Sequence, residues 1–339
     1  MDRSETRSGT LSKRLRETVL RNADHPAVLL DGVSLSYRDL WDQSGRAAKA
    51  MIARGVKPGE RIGSWSPNAI EPLIVQCAAL RLGLVTLHLD SEWDAEQARA
   101  ALARAEVGCI FIRAFHEGRQ YPAMIKSLRG QAGCPREVVI HGRQPRFERV
   151  LPDGWVEFLE AGDQLPDAVL DECEHQVSTS SDARAVIVFS GSGVALEECS
   201  ILRAAVAFAG GTGRTCVDAP FYQPAGLVRG CLATLLNGGT LVLPGPATDP
   251  DTIVDRVQKS GCTALVLSSK AAAALREYLA ARPEVRTELE RCRITDNDGC
   301  DEAGTWAVVD PHESHLAYRL PAARPDAEAA DAVLSPSGR

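Results

Sequence analysis

The chain has 339 residues, of which 45% are hydrophobic and 24% charged, and its formal net charge is -7 at pH 7. This composition is typical of a globular protein with one large or two smaller domains. The mild acidity argues against a nucleic-acid-binding protein, for which a basic face is expected.

The start of the chain alternates helical and extended patterns. Residues 1–10 are polar and are predicted to be disordered. An amphipathic helix beginning at Leu11 is expected next, followed by the hairpin AVLLDGVSLSY with its turn at Asp31-Gly32. The pattern then predicts a helix from Tyr37 to Arg54 that ends at Gly55, since glycine commonly terminates helices.

Strands and helices continue to alternate up to about residue 115. The predicted strands are RIGSWS, LVTLHL and CIFIRA, and the helices between them are NAIEPLIVQCAALRLG and SEWDAEQARAALARAEVG. Ser91 is expected to cap the second of these helices. Such alternation predicts an α/β fold with mainly parallel sheets covered by helices. Residues 116–182 are less regular, with EVVIHG as one further strand.

The alternation resumes at Asp182. The segments AVIVF, TLVLPG and CTALVLSS are predicted strands, and the helices are LEECSILRAAVAFAG, LVRGCLATLLNGG, PDTIVDRVQKSG and a segment beginning KAAAALREYL. After Asp296 only TWAVVD has the pattern of a strand. We therefore predict two α/β subdomains, residues 11–181 and 182–310, and a disordered tail over residues 311–339.

The cysteines and the apolar runs of the sequence indicate where in the cell the protein is expected. The ten cysteines form no CxxC pair and several lie in apolar runs, which is typical of small buried residues in a reduced protein. The first residues have no apolar core of a signal peptide, and no run reaches the ~20 apolar residues of a membrane span. We expect a cytoplasmic protein that binds neither nucleic acid nor a membrane through a spanning segment.

A glycine-rich turn lies between AVIVF and the next predicted helix. Ser190, Gly191, Ser192 and Gly193 form it, and a strand followed by such a turn and a helix is how many phosphate-binding loops begin. The pattern by itself is weak, since Gly-Ser-Gly also occurs in ordinary tight turns.

Several landmarks in order resemble the amino-terminal half of the AMP-forming adenylate ligases, the superfamily of acyl-CoA synthetases, luciferases and peptide-synthetase adenylation domains. In residues 34–90 they are Tyr37, GVKPGER, Pro67-Asn68 and ALRLG. Further on, FSGSG resembles the start of the family's phosphate loop, and the resemblance covers roughly residues 11–295. The segment PFYQPAGL resembles a motif that contributes to the family's ligand pocket, and the matching residues are Tyr222, Gln223, Ala225 and Gly226.

The resemblance implies ATP-dependent activation of a carboxylic acid with magnesium, and this chain departs from the family in the parts that carry that chemistry. Gln223 stands where many members have histidine. Aligning Gly193 with the family's last loop glycine puts Leu196 where the lysine belongs, with Glu197 and Glu198 beside it. The motifs for the adenine, magnesium and ribose sites do not follow CRITDND, and we expect the carboxy-terminal lid domain to be absent.

The two glutamates have opposite interpretations. Two unit charges 4 Å apart interact by about 4 kcal/mol at an effective dielectric near 20, so a glutamate facing a triphosphate would repel it strongly. A helix N-terminus favours an anion by only ~0.3–2 kcal/mol, which does not offset that repulsion. Alternatively, Glu197 and Glu198 only complement the dipole of the helix that they begin.

Other candidate motifs give no site. The run DNDGCDEAG lacks the closing glutamate of a calcium loop, and AGGTGRTC lacks the Gly-Lys-Ser/Thr of a P-loop, so both are interpreted as turns. No Ser–His–Asp order or GxSxG elbow is present around the histidines, which include His88, His175, His312 and His315. We predict no metal site and name no catalytic residue.

Three functions are compatible with these residues. The first is a degenerate acyl-CoA synthetase-like pseudoenzyme, unable to adenylate alone, that binds an acyl ligand, a carrier protein or a full-length ligase. The second is an active minimal or split ligase that uses ATP and magnesium to activate an acyl or aryl acid for thioester formation. The third, an enzyme that uses the acyl pocket without ATP, lacks a visible nucleophile–base pair. Fold resemblance does not decide among them.

Overall fold

The computed structural model describes residues 10–142, 154–179, 185–189, 194–207, 213–245, 249–282, 293–295, 305–309 and 316–319. The helices are α1 (Leu11–Asn22), α2 (Tyr37–Ala53), α3 (Ile70–Arg81), α4 (Ala95–Arg104), α5 (Tyr121–Ser127), α6 (Trp155–Asp163), α7 (Asp167–Thr179), α8 (Glu198–Ala207), a π-helical segment (Ala225–Leu232) that continues as α9 (Ala233–Leu236), α10 (Pro250–Ser260) and α11 (Ser269–Ala280). The strands are β1 (Pro26–Leu30), β2 (Val33–Ser36), β3 (Arg61–Trp65), β4 (Val85–Leu89), β5 (Cys109–Arg113), β6 (Glu137–His141), β7 (Ala185–Phe189), β8 (Val194–Glu197), β9 (Arg214–Val217), β10 (Thr240–Leu243), β11 (Ala264–Val266), β12 (Arg293–Thr295), β13 (Thr305–Val309) and β14 (Leu316–Arg319).

Side-chain caps fix several helix ends. Helix α4 begins with a capping box in which the Asp94 carboxylate accepts from the Gln97 N–H and the Gln97 side chain accepts from the Asp94 N–H. The prediction that Ser91 caps this helix is therefore wrong. Helix α10 ends at Ser260 and is capped by Gly261, whose φ of 61° lies in the left-handed region that glycine adopts without steric cost.

Three helices lie in the region that lacked a clear pattern. Residues 116–182 contain α5, α6 and α7, although only a strand was predicted there. Helix α5 has seven residues and α7 has a polar sequence, DAVLDECEHQVST, so neither carries a strong apolar periodicity. Their formation depends on packing against the rest of the fold rather than on local pattern.

The chain forms two compact units. Unit 1 comprises, among the described residues, 10–39 and those from Cys199 onward, and unit 2 comprises those within Leu40–Glu198. These bounds differ from the predicted subdomains, 11–181 and 182–310. Strand β1 pairs with β10 and β2 pairs with β1, so both belong to unit 1, and β7 and β8 extend the sheet of unit 2.

Unit 2 is built on a six-stranded sheet with the order β6-β5-β3-β4-β7-β8. The first five strands are parallel and β8 is antiparallel to β7. One of its hydrophobic clusters buries Trp65, Leu102, Ile110 and Tyr121. The Trp65 and Tyr121 rings meet edge to face with centroids 5.1 Å apart.

Unit 1 contains an eight-stranded sheet with the order β14-β13-β12-β11-β9-β10-β1-β2. Strands β12, β11, β9, β10 and β1 are parallel, and the strands at both edges are antiparallel to their neighbours. Thus the predicted α/β class with mainly parallel sheets is confirmed. Strand β14 (Leu316–Arg319) lies within the tail that was predicted to be disordered.

Two side chains tie distant segments together. Tyr37, at the start of α2, is buried in unit 1, and its hydroxyl lies 3.1 Å from the Leu235 carbonyl and 2.7 Å from the Gly239 carbonyl. In unit 2 the buried Arg81 guanidinium pairs with Glu174 on α7 and lies 3.8 Å from the centre of the Trp41 ring. Both side chains act in packing.

Candidate functional site

The predicted phosphate loop connects two paired strands of unit 2. Ser190, Gly191, Ser192 and Gly193 lie outside the described residues, so their role stays a prediction. The strands on either side, β7 and β8, form an antiparallel pair in which Phe189 is opposite Val194. Since β7 is parallel to β4, the loop follows the carboxyl end of the last parallel strand of the sheet, and α/β sheets bind ligands at the carboxyl ends of their parallel strands.

The segment after the loop is a strand before it is a helix. Leu196 and Glu197 belong to β8, where Leu196 is opposite Ile187, and only Glu198 lies in the first turn of α8. The prediction that the helix begins at Leu196 is wrong, because pairing with β7 holds this segment extended. Glu197 is exposed and Glu198 is half-buried. Of the two carboxylates, only that of Glu198 is placed to complement the helix dipole.

The second group of predicted residues follows β9 in unit 1. Tyr222 and Gln223 are half-buried, whereas Ala225 is completely buried. The Gln223 N–H donates to the Pro220 carbonyl at 3.0 Å, which closes a tight turn after the strand. The two larger side chains of the predicted pocket are thus only partly covered, and the two small residues lie in the packed interior. Their assignment to a ligand pocket stays a prediction.

Two glycines let the π-helical segment approach β9 and the connection that follows it closely. A Cβ at Gly226 would lie 2.2 Å from the Pro220 carbonyl oxygen and 2.3 Å from that of Ala219. A Cβ at Gly230 would lie 2.7 Å from a methyl carbon of Val217. The segment was predicted as an ordinary helix; π-helical geometry is rare and often occurs near functional sites.

Asp218 is a buried carboxylate that sequence reasoning missed. It directly follows β9, is 6% exposed, and its Oδ1 has no hydrogen-bond partner in the described part of the chain. Its backbone N–H donates to the Val266 carbonyl at 2.9 Å, so the residue continues the pairing of β9 with β11. Burial raises the pKa of Asp218 to about 6, although a hydrogen bond from the Ser268 N–H acts in the opposite direction. The only signal in the sequence is one acidic residue at the end of an apolar run.

Two histidines of unit 2 are buried and neutral. The Nε2 of His88 lies 2.8 Å from Oε1 of Gln76, and burial lowers the pKa of His88 to about 3. Burial and the nearby Arg113 lower the pKa of His141 to about 3 as well. Both residues are packed in the interior of unit 2.

The described residues contain neither a cluster of metal-binding side chains nor a disulfide. No group of three or more His, Cys, Asp or Glu side chains there could hold a metal ion. The eight cysteines that the structure describes are free. The acidic run DNDGCDEAG, with Asp296, Asp298, Asp301 and Glu302, lies outside the described residues, as do His312 and His315. None of the described helices is long and apolar enough to cross a membrane.

The two predicted groups of site residues belong to different units. The loop residues connect strands of unit 2, whereas Tyr222 and Gln223 lie in unit 1 together with Asp218. Within unit 1, the structure brings Tyr222, Gln223 and Asp218 to one connection at the carboxyl end of β9. This connection contains one buried carboxylate and, four and five residues further along the chain, two half-buried polar side chains, so it stays a candidate ligand site.

A protein-family model and two curated relatives each match most of the chain. The family model described as AMP-binding enzyme matches residues 15–309. The chain is similar to the mitochondrial medium-chain acyl-CoA ligase of Danio rerio, with 23% identity over 284 residues that cover 76% of this chain and 46% of that protein. It is also similar to an acyl-CoA ligase of Aspergillus fumigatus, with 22% identity over 287 residues, covering 76% and 46%.

Solved structures show the same fold. The inhibitor-bound amino-terminal domain of FACL13 from Mycobacterium tuberculosis superposes with a TM-score of 0.66 at 14% identity, covering 85% of this chain and 75% of that one. The chain spans about half the length of these curated relatives, 46% in both cases. The fold is therefore that of the amino-terminal domain of adenylate-forming ligases, and the chain belongs to the AMP-binding enzyme family, with acyl-CoA ligases among its relatives.

Proposed function

We propose that this chain is an acyl-CoA synthetase-like protein that binds an acyl ligand but does not adenylate it alone. Its partner is a carrier protein or a full-length ligase, and the location is cytoplasmic. The observation that carries this proposal is the charge around the phosphate loop. No lysine or arginine occurs between Ser190 and Cys199, and the segment instead presents Glu197 and Glu198.

The physical argument concerns the triphosphate of ATP. Transfer to the α-phosphate with loss of pyrophosphate requires cations and backbone N–H groups that offset several negative charges. An exposed carboxylate on the strand that leaves the loop acts against binding, at up to about 4 kcal/mol if it lies 4 Å from a phosphate. Solvent and salt reduce this figure for an exposed side chain such as Glu197.

Calorimetric titration tests the proposal. We expect the wild-type protein to bind octanoate, the probe suggested by the medium-chain acyl-CoA ligase of Danio rerio, and to show no heat of binding with ATP-magnesium. In the double variant Glu197→Gln/Glu198→Gln, ATP affinity should rise at least about tenfold if the carboxylates are the obstacle. The matched control is Glu157→Gln/Glu160→Gln, which removes two exposed carboxylates on α6. Equal ATP affinity in all three proteins would contradict the electrostatic argument.

The alternative is an active minimal or split ligase. It is favoured by the two relatives from Danio rerio and Aspergillus fumigatus, because both are acyl-CoA ligases. ATP–pyrophosphate exchange separates the two functions. Exchange by the isolated chain with octanoate and magnesium would replace the pseudoenzyme proposal with the ligase. Exchange only after addition of a separate carboxy-terminal ligase domain would identify a split enzyme.

A further inference from the structure

Asp218 is the one carboxylate of the candidate site that is withdrawn from solvent. Its Oδ1 has no hydrogen-bond partner among the described residues, while the other side of the carboxylate faces the Ser268 N–H at the start of α11. Buried carboxylates normally accept several hydrogen bonds, because leaving one oxygen unpaired costs about 1–3 kcal/mol or more for a charged group. Oδ1 of Asp218 therefore calls for a hydrogen-bond donor that the described residues do not supply.

The position of Asp218 indicates where that partner comes from. The residue lies at the carboxyl ends of β9 and β11, since both its N–H and that of Ala219 donate to the Val266 carbonyl. Open parallel sheets bind ligands at this edge. The connection that begins with Asp218 continues directly to Tyr222 and Gln223, which are half-buried and belong to the predicted ligand pocket. A ligand bound along this connection would approach Asp218 from the same edge.

We propose that Asp218 is a specificity-determining residue whose carboxylate accepts a hydrogen bond from a hydroxyl or amino group on the bound carboxylic acid. This inference rests on the proposed function, because it requires that the site binds such an acid. A hydrogen bond to a buried charged acceptor discriminates strongly, since a ligand without the donor leaves the acceptor unpaired. The favoured ligands are therefore hydroxy or amino acids rather than simple alkyl acids.

The surroundings of Asp218 predict how pH affects this preference. Burial and the Ser268 N–H account for its pKa, and no charged side chain in the described part of the neighbouring elements contributes. The charged residues on those elements are Arg214, Arg229, Lys270, Arg276 and Glu277. An ionised carboxylate is the stronger acceptor. The preference for a donor should therefore increase as the pH rises through about 6.

The experiment compares dissociation constants for octanoate with those for 2-, 3- and 8-hydroxyoctanoate and 8-aminooctanoate, measured by calorimetry at pH 5 and pH 7. The wild-type protein should bind at least one donor-bearing acid roughly tenfold to a hundredfold more tightly than octanoate at pH 7, and less selectively at pH 5. In Asp218→Leu the ratio of the dissociation constant of octanoate to that of the preferred donor-bearing acid should fall close to one. Asp218→Asn keeps a hydrogen-bond acceptor but cannot ionise, so in this variant the same ratio of dissociation constants should no longer depend on pH. Asp255→Asn, an exposed aspartate on α10, is the matched control.

Each outcome is decisive. If the wild-type protein binds the acids without preferring a donor, or if the preference persists in both Asp218 variants, the inference is wrong and the proposed function stands. If no acid binds, the proposed function itself fails and this inference fails with it. Should Asp218→Leu not fold, as judged by circular dichroism, the pH dependence in Asp218→Asn decides.

Discussion

Replacement of Asp218 by asparagine removes a buried charge at nearly constant volume. The ordinary pKa of an aspartate is 3.8, and burial raises that of Asp218 to about 6. Each tenfold change in proton affinity corresponds to about 1.4 kcal/mol, so the ionised side chain lowers the free energy of unfolding by roughly 3 kcal/mol at neutral pH.

The sign of the pH dependence of stability follows from which state, folded or unfolded, binds the Asp218 proton more tightly. Since the folded state has the higher pKa, it holds the proton between about pH 4 and pH 6 while the unfolded state has lost it. The stabilising contribution is complete below about pH 4 and is lost as the pH rises to about 6. In Asp218→Asn this loss should not occur, although the buried amide N–H groups will cost about 1–3 kcal/mol where they lack acceptors.

Urea unfolding followed by circular dichroism between pH 4 and pH 7.5 measures the effect. The quantity to compare is the difference in free energy of unfolding between wild type and Asp218→Asn, because the other titrating groups cancel in that difference. We expect the difference to move in favour of the variant by roughly 3 kcal/mol from pH 4 to pH 7. The exposed control Asp255→Asn should show no such movement. Parallel profiles for Asp218→Asn and wild type would refute the argument that burial raises this pKa.

Three further substitutions test the packing described above. Gly226→Ala should destabilise the protein by about 1–3 kcal/mol, because its Cβ would overlap two backbone carbonyl oxygens. Arg81→Met should cost about 3–5 kcal/mol, because it leaves a largely buried glutamate unpaired. Since the folded pKa of His141 is about 3, below its ordinary 6.5, wild-type stability should fall by roughly 3 kcal/mol from pH 7 to pH 4, and His141→Leu should remove that loss.

Thermal and urea unfolding measure the free energy of unfolding of each variant. Matched control variants show whether a loss of stability comes from the named contact or from any substitution in the same kind of position. Gly154→Ala places its Cβ against the movable end of a glutamate side chain and should cost less than Gly226→Ala. Arg99→Met breaks an exposed pair within α4 and should change stability by less than about 1 kcal/mol. Equal costs for the two members of either pair would contradict the packing argument. If His141→Leu loses as much stability between pH 7 and pH 4 as the wild type, the pKa of His141 is not lowered in the folded state.

The elements that could be predicted from the sequence are those that are determined by residues close to one another in the chain. The apolar strand CIFIR and the glycine after α2 were predicted correctly, since each depends on residues close in the chain. Tyr37 is the clearest case, because a landmark of the resemblance proved to be a buried side chain bonded to two backbone carbonyls. The cap of α4 was missed since Ser91 and Asp94 are both good capping residues, and only the backbone path selects Asp94.

The parts that escaped prediction depend on distant contacts. VALE forms β8 because it pairs with β7, and the four residues carry no marked strand pattern of their own. The burial of Asp218 follows from the meeting of β9 with β11 and the start of α11, which no sequence window around residue 218 reveals. For the loop from Ser190 to Gly193 the predicted role rests on the glycine-rich pattern and on the resemblance alone.

The pairing of β1 with β10 has a consequence for how the chain folds as it is synthesised. Val28 lies opposite Leu241, so the first strand of unit 1 must wait until all of unit 2 has been made. The strands of unit 2 form between Arg61 and Glu197, and that unit can assemble first. Until β10 appears, one edge of the β1–β2 hairpin is open to pairing with other chains. Ribosome-bound chains that end before Thr240 should therefore be protease-resistant in unit 2 while α1 and the hairpin are still cleaved.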